Sequence, residues 1–200
     1  MRLLVTRHGQ TDWNLEGRLQ GWADNPINET GRQQALALRE KIKDIKFDIC
    51  YSSSLLRAAK TAQILMGYAV PDAEPICPIR YDKRLRERGF GKIDSLKDDL
   101  MRDFVYNESW DLDLNTGKYG IEPIREIYRR IYDFCHNEIP KIRDEFGDDA
   151  TVLIVTHGGA SRVLNYVLLG GSEVPDKNSD AWRKTQEFHL KNCDIFEYNI

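Results

Sequence analysis

Apolar positions along the chain fall into two alternating rhythms. Residues 1–6 (MRLLVT) form a short apolar run of the kind a buried strand uses, and Ala35, Leu38, Ile42 and Ile45 then recur at helical spacing, with Asn28 as the predicted N-cap. The unit repeats: 48–52 (DICYS) reads as a second strand, 55–65 reads as a helix rich in Ala and Leu, and the serines 52–54 are expected to cap that helix. Residues 74–79 are a weaker strand candidate, broken by Pro75 and Pro78 and so expected near a sheet edge. A long amphipathic helix is predicted from about Pro123 into the 140s, with Ile124, Ile127, Ile131 and Phe134 on one face. Residues 151–156 (TVLIVT) are the clearest fully buried strand; HGGASRVLNYVLLGG leads from it through a glycine turn into an apolar helix, and CDIFEYNI closes the chain as a final strand. Between 92 and 120 the pattern turns irregular, acidic and aromatic. The expected fold is α/β: a three-layer α/β/α sandwich with a mostly parallel central sheet and a small helical or looped lid insertion at about residues 92–120.

Composition narrows the class further. Two hundred residues, 41% hydrophobic and 30% charged, suit one globular domain over residues 1–200, with no internal repeat or linker to divide it. A net charge of −3 gives no global attraction to nucleic acid or to an anionic membrane, so an anionic ligand has to be gathered by a local cluster of donors. Cys50, Cys77, Cys135 and Cys193 lie far apart without a C-x-x-C pair, and neither a leader-like core nor a membrane-length apolar stretch appears; a reduced, cytoplasmic protein is expected. Self-association into a homo-oligomer is left open.

Candidate chemistry sits at the ends of predicted strands. In open α/β sheets ligands bind beyond the carboxyl ends of the strands, where loops enter helix N-termini. Arg7-His8-Gly9 and His157-Gly158-Gly159 both occupy such ends, and Arg57 falls in the first turn of the helix after the second strand. Two arginines and two histidines at such a place suit a phosphoryl group, whose transfer depends on positioning and on charge stabilisation of its oxygens. A neutral histidine whose other ring nitrogen is held by a backbone acceptor could attack phosphorus, and Glu87 in RLRERGFG could protonate the leaving oxygen. Each residue also has a plainer reading: Arg57 as a solvated side chain, Glu87 in a surface ion-pair patch with its neighbouring arginines, Asn14 as a turn cap, Gly158 and Gly159 as packing glycines. His136 and His189 read as structural or solvated. The G-x-S-x-G, H-E-x-x-H, P-loop and G-x-G-x-x-G signatures are all absent.

Four ordered blocks, LVTRHGQTDWNLEGRLQGWADNPINETGRQQA (4–35), YSSSLLRAAKTA (51–62), RLRERGFG (84–91) and VTHGG (155–159), resemble the histidine phosphatase superfamily, also called the phosphoglycerate mutase-like family. The resemblance implies that His8 is the phosphorylated nucleophile, that Arg7, Arg57 and His157 bind phosphoryl oxygens, that Glu87 is the proton donor, and that Asn14 adds a hydrogen bond. Thr11, Gln20, Gly21, Arg88 and Gly158 match further pocket or substrate positions. No metal or other cofactor is implied.

Phosphatases and mutases of this family share these residues. A mutase has to retain a doubly phosphorylated intermediate, yet residues 92–118 hold four cationic side chains against seven anionic ones, and Gly159 stands where cofactor-dependent mutases carry Asn. RLRERGFG, with Arg88, is close to the mutase form of its block. A phosphomonoester hydrolase acting on a small phosphorylated metabolite is the favoured expectation, with a cofactor-dependent phosphoglycerate mutase as the alternative and a non-catalytic phospholigand-binding module third. Lid aromatics (Phe104, Tyr106, Trp110, Tyr119) could admit a partly apolar leaving group or form a small core of their own.

Overall fold

The computed structural model describes residues 1–97, 119–171 and 179–200. The greater part of the expected lid, including Phe104, Tyr106 and Trp110, lies outside them. Among the described residues five strands form one sheet in the order β3-β2-β4-β1-β5: β1 (Arg2–Arg7), β2 (Ile49–Ser53), β3 (Ile79–Asp82), β4 (Thr151–Thr156) and β5 (Ile195–Asn199). All pairings are parallel except that of β5 with β1.

Side-chain alternation along the strands builds the three layers. Leu3, Val5, Ile49, Tyr51, Val152 and Ile154 face one core. That core is covered by α4 (Ile124–Asp133), α5 (Ile139–Phe146) and α6 (Gly158–Leu168) through Ile127, Ile131, Ile142, Val163 and Leu164. Leu4, Cys50, Leu153 and Val155 face the other, covered by α2 (Glu29–Ile42) and α3 (Leu56–Leu65) through Leu38, Ile42, Ala58, Ala62 and Leu65. A short α1 (Asp12–Leu15) follows β1, and α7 (Asp180–Glu187) precedes β5. Among the described residues no helix is long and apolar enough to cross a membrane.

Asn28 caps α2 as expected, its side chain accepting from Gly31 N–H at 2.9 Å. The edge strand is not 74–79 but Ile79–Asp82: Pro75 and Pro78 cannot donate to a ladder, so pairing starts after them, and Pro78 contributes only its carbonyl, to Cys50 N–H at 2.9 Å. Serines 52–54 do not cap α3 from its N-cap position, which is Leu55. Ser52 and Ser53 belong to β2, and the open amides are taken by Ser53 Oγ, accepting from Leu55 N–H, and by Asp24 Oδ1, accepting from Leu56 N–H. The long amphipathic helix is interrupted by a π turn at Phe134–Glu138 between α4 and α5; Ile131 and Phe134, three residues apart on one face, are both fully buried. At the root of the lid, Tyr119 packs on a small cluster of Leu19, Phe90, Ile93 and Ile121.

Candidate active site

Register brings the two histidines together. β1 and β4 pair in parallel up to Arg7 opposite Thr156, and the ladder continues one step further through His8 N–H donating to Thr156 O at 3.0 Å. The next residues, His8 and His157, therefore emerge side by side, with ring centroids 5.1 Å apart. Both are buried. His8 Nδ1 lies 2.7 Å from Gly9 O, and since a carbonyl only accepts, Nδ1 carries the proton and Nε2 keeps its lone pair. His157 Nε2 lies 2.8 Å from the hydroxyl of Ser53, at the end of β2, while its Nδ1 is buried with no partner.

Charge comes from Arg7 and Arg57, both of which donate to backbone carbonyls. Arg57 is fully buried; its Nη2 donates to Gly21 O and its Nη1 to Ala23 O, each at 2.8 Å, and its Nε is buried with no partner. Burial pushes its pKa down to about 10, so it stays cationic at neutral pH. Arg7 Nη1 donates to Leu190 O at 3.2 Å. Burial, followed by the nearby charges of Arg57 and Arg7, holds His8 well below the usual imidazole range; burial and Arg57 do the same to His157. Both rings are neutral at pH 7, and an unprotonated imidazole is what a nucleophile requires.

Glu87 does not form the ion-pair patch that its arginine-rich neighbourhood suggests. Its Oε2 accepts from Gly159 N–H at 2.9 Å, and its Oε1 from Ala160 N–H at 3.1 Å and Arg88 N–H at 2.9 Å. The carboxylate thus sits on the first turn of α6, where open amides and the helix dipole favour an anion. Ser161 N–H is taken by His157 O, so Gly158 N–H is the amide of that turn left for a ligand. A Cβ on Gly159 would come within 2.5 Å of Glu87 Oε1, whereas one on Gly158 would meet Arg7 at an ordinary 3.5 Å. Glycine at 159 is therefore a condition for this seat.

The remaining predicted residues frame these groups. Thr11 and Asn14 form a capping box on α1; Asn14 Oδ1 also accepts from Asn192 Nδ2 at 3.3 Å, which leaves its own amide nitrogen as the donor. Gln20 Oε1 accepts from Thr11 Oγ1 and Asn25 Nδ2. Gly21 offers its carbonyl to Arg57 at a φ of +44°, where a side chain would also collide with Asp94. Arg88 is buried, its Nε donating to Glu122 O at 2.9 Å and its guanidinium 5.9 Å from the Phe90 ring centre. His136 stacks on Tyr132, and His189 accepts from Arg162.

Sequence reading missed several supports. Ser53 orients His157. Asn192 Nδ2 donates to His8 O at 2.8 Å and, with Leu190 O on Arg7, makes the segment before β5 part of the site; only the unpredicted placement of β5 beside β1 brings it there. Asp94 accepts from Trp22 N–H and Phe90 N–H, tying the loop whose carbonyls hold Arg57 to the Glu87 block, and burial raises its pKa to about 6. Trp22 Nε1 and Arg130 both donate to Glu87 O.

An α/β/α sandwich whose strand ends gather a neutral histidine pair, two arginines, an open helix amide and a carboxylic acid has the equipment of a phosphoryl-transfer enzyme. The profile of the histidine phosphatase superfamily (branch 1) matches residues 3–195, and the chain belongs to that family, whose enzymes are phosphatases or mutases. A Bartonella bacilliformis protein named 2,3-bisphosphoglycerate-dependent phosphoglycerate mutase is 35% identical over 176 residues, 84% of this chain and 81% of that one. A Bacillus subtilis protein named uncharacterized phosphatase PhoE is 32% identical over 203 aligned positions, covering 98% and 93%. Among solved structures, a mycobacterial glucosyl-3-phosphoglycerate phosphatase in complex with VO3 superposes with a TM-score of 0.75 at 26% identity, over 98% of this chain and 90% of that one.

Two outcomes are expected from this geometry. Below pH 6.5 the unfolded chain binds protons at positions 8 and 157 that the native site refuses, so stability is full above that pH and falls as pH drops towards 5, by about 1.4 kcal/mol per pH unit for each buried histidine. Urea unfolding of wild type and His8→Asn at pH 7, 6 and 5 measures this; parallel curves would contradict it. Gly159→Ala is expected to expel the Glu87 carboxylate from its seat, visible in a crystal structure of the variant as loss of the contacts of Glu87 with Gly159 N–H and Ala160 N–H; a carboxylate unmoved in that structure would contradict it.

Proposed function

We propose that the protein is a phosphomonoester hydrolase that works through a phosphohistidine at His8 on a small phosphorylated metabolite. The carrying observation is the state of His8: neutral by burial and by its cationic neighbours, with Nδ1–H fixed on Gly9 O and its ring 5.1 Å from that of His157. His8 Nε2 attacks phosphorus and the bond from phosphorus to the ester oxygen breaks, the leaving oxygen taking a proton from Glu87. Water then attacks the phosphohistidine, gives a proton to Glu87, and inorganic phosphate departs with Nε2 restored. Arg7, Arg57 Nε, His157 Nδ1, Gly158 N–H and the Asn14 amide hold the phosphoryl oxygens, and charge that develops on them meets donors already in place.

Gln20 and Gly21 support this site from beneath, through Thr11 and Arg57. The burial of Arg88 and its tie to Glu122 favour a part in shaping the acid's loop over direct substrate contact. Hydrolysis is favoured over mutase action by the acidic balance of residues 92–118, which disfavours retention of the doubly phosphorylated intermediate that a mutase has to hold. The alternative, a cofactor-dependent mutase, draws support from the Bartonella relative's name.

His8→Ala is expected to lose p-nitrophenyl phosphate hydrolysis and acid-labile ³²P labelling together; activity retained in a folded variant would refute the nucleophile. Glu87→Gln should lower turnover of alkyl phosphates by about 10²-fold or more while affecting p-nitrophenyl phosphate far less, because p-nitrophenolate leaves without protonation. A panel of phosphate monoesters, with 3-phosphoglycerate assayed with and without 2,3-bisphosphoglycerate, separates the two reactions: inorganic phosphate is the expected product, and isomerisation dependent on the bisphosphate would establish the mutase.

A further inference from the structure

Arg130, on α4, uses all five of its guanidinium donors inside the protein. Nη1 donates to Arg84 O and Arg86 O, each at 2.6 Å; Nη2 donates to Glu87 O at 2.9 Å and Glu122 Oε2 at 3.0 Å; Nε donates to Glu122 Oε1 at 2.7 Å. Glu122 in turn grips the same loop. Its Oε2 accepts from Gly89 N–H at 3.0 Å, its N–H donates to Gly89 O at 2.8 Å, and its carbonyl accepts from Arg88 Nε at 2.9 Å. Both side chains are largely shielded, at 16% and 8% exposure. One ion pair therefore fixes the backbone from 84 to 89 from behind, while the carboxylate of Glu87 reaches forward to the first turn of α6.

We propose that Arg130 is a positioning residue for proton transfer by Glu87, and that Glu122 makes the chain entering α4 part of the same clamp. The proposal rests on the reading of Glu87 as the proton donor. A planar fork bonded to three carbonyls of one loop fixes both the position and the direction of that loop, which a single hydrogen bond cannot do. Lysine places its donors on one nitrogen and cannot span the three carbonyls and both carboxylate oxygens. Loosening the clamp shifts Glu87 relative to the Gly159 and Ala160 amides but leaves His8, held by the β1–β4 ladder and by Gly9 O, in place. The consequence is specific: chemistry that needs a proton on the leaving group suffers, and chemistry that does not need one survives.

The test compares kcat/KM for β-glycerophosphate and p-nitrophenyl phosphate in wild type, Arg130→Lys, Glu122→Gln and Glu87→Gln. In Arg130→Lys the alkyl-to-aryl ratio is expected to fall about tenfold or more, with p-nitrophenyl phosphate turnover changing by less than about threefold, and adding Arg130→Lys to Glu87→Gln should lower the ratio no further. Equal losses on both substrates, or an unchanged ratio in a variant that melts cooperatively, overturn the proposal. Should Arg130→Lys not fold, Glu122→Gln decides, since it keeps an acceptor but removes the charge: a lowered ratio supports the clamp and an unchanged one overturns it. A ratio unchanged in Glu87→Gln itself overturns the proton-donor reading and this proposal with it; one lowered in Glu87→Gln but unchanged in Arg130→Lys overturns the clamp alone.

Discussion

The in-register parallel pairing of β1 with β4 is the constraint on which the site depends. Because Arg7 lies opposite Thr156, the two strands end level, and the chain leaves both at the same height with a histidine as its next residue. A slip of one residue would turn every side chain of β1 to the other face, exchanging the Leu3 and Val5 core for the Leu4 core and separating the two rings. Burial on both faces of the sheet makes such a slip costly, so the hydrophobic layers that stabilise the fold also set the spacing of the histidine pair.

Around that pair, Arg57 supplies positive charge while its hydrogen bonds go to uncharged acceptors, the carbonyls of Gly21 and Ala23, and Glu87, Asp24 and Asp94 act on it only through space, so its field at the site is moderated but not cancelled. That field has a second effect: together with burial it keeps both imidazoles neutral, so the groups that would attract an anion also preserve a lone pair on each ring. The Glu87 carboxylate is hydrogen-bonded to backbone amides of α6 and acts on Arg57 through space.

Much of this is legible in sequence because it rests on local patterns. Continuous apolar runs mark β1 and β4, helical periodicity marks α2 and the α4–α5 segment, and His8, His157 and Arg57 can be placed at strand ends from residue order alone. The features that escape such reading depend on through-space neighbours. The edge strand shifts beyond Pro78 because prolines remove donors, a local cause that a propensity reading blurs. Asn192 enters the site only because β5 lies beside β1, and Arg130 meets carbonyls more than 40 positions away in sequence; neither carries a motif. The role of Gly159 needs the distance to Glu87, since the same glycine fits tight helix packing equally well in sequence.

The unsatisfied donors give the site a thermodynamic direction. Arg57 Nε is a buried donor without an acceptor, and His157 Nδ1 is buried without a partner; with Ser53 Oγ–H donating to His157 Nε2, Nδ1 carries the ring proton and is a second such donor. Each unsatisfied donor costs about 1–3 kcal/mol relative to a satisfied one. An oxyanion with several lone pairs would satisfy both at once, through bonds strengthened by its charge that a neutral ligand of the same size forms less well, so preference for an anion follows from what the folded site lacks as much as from what it contains.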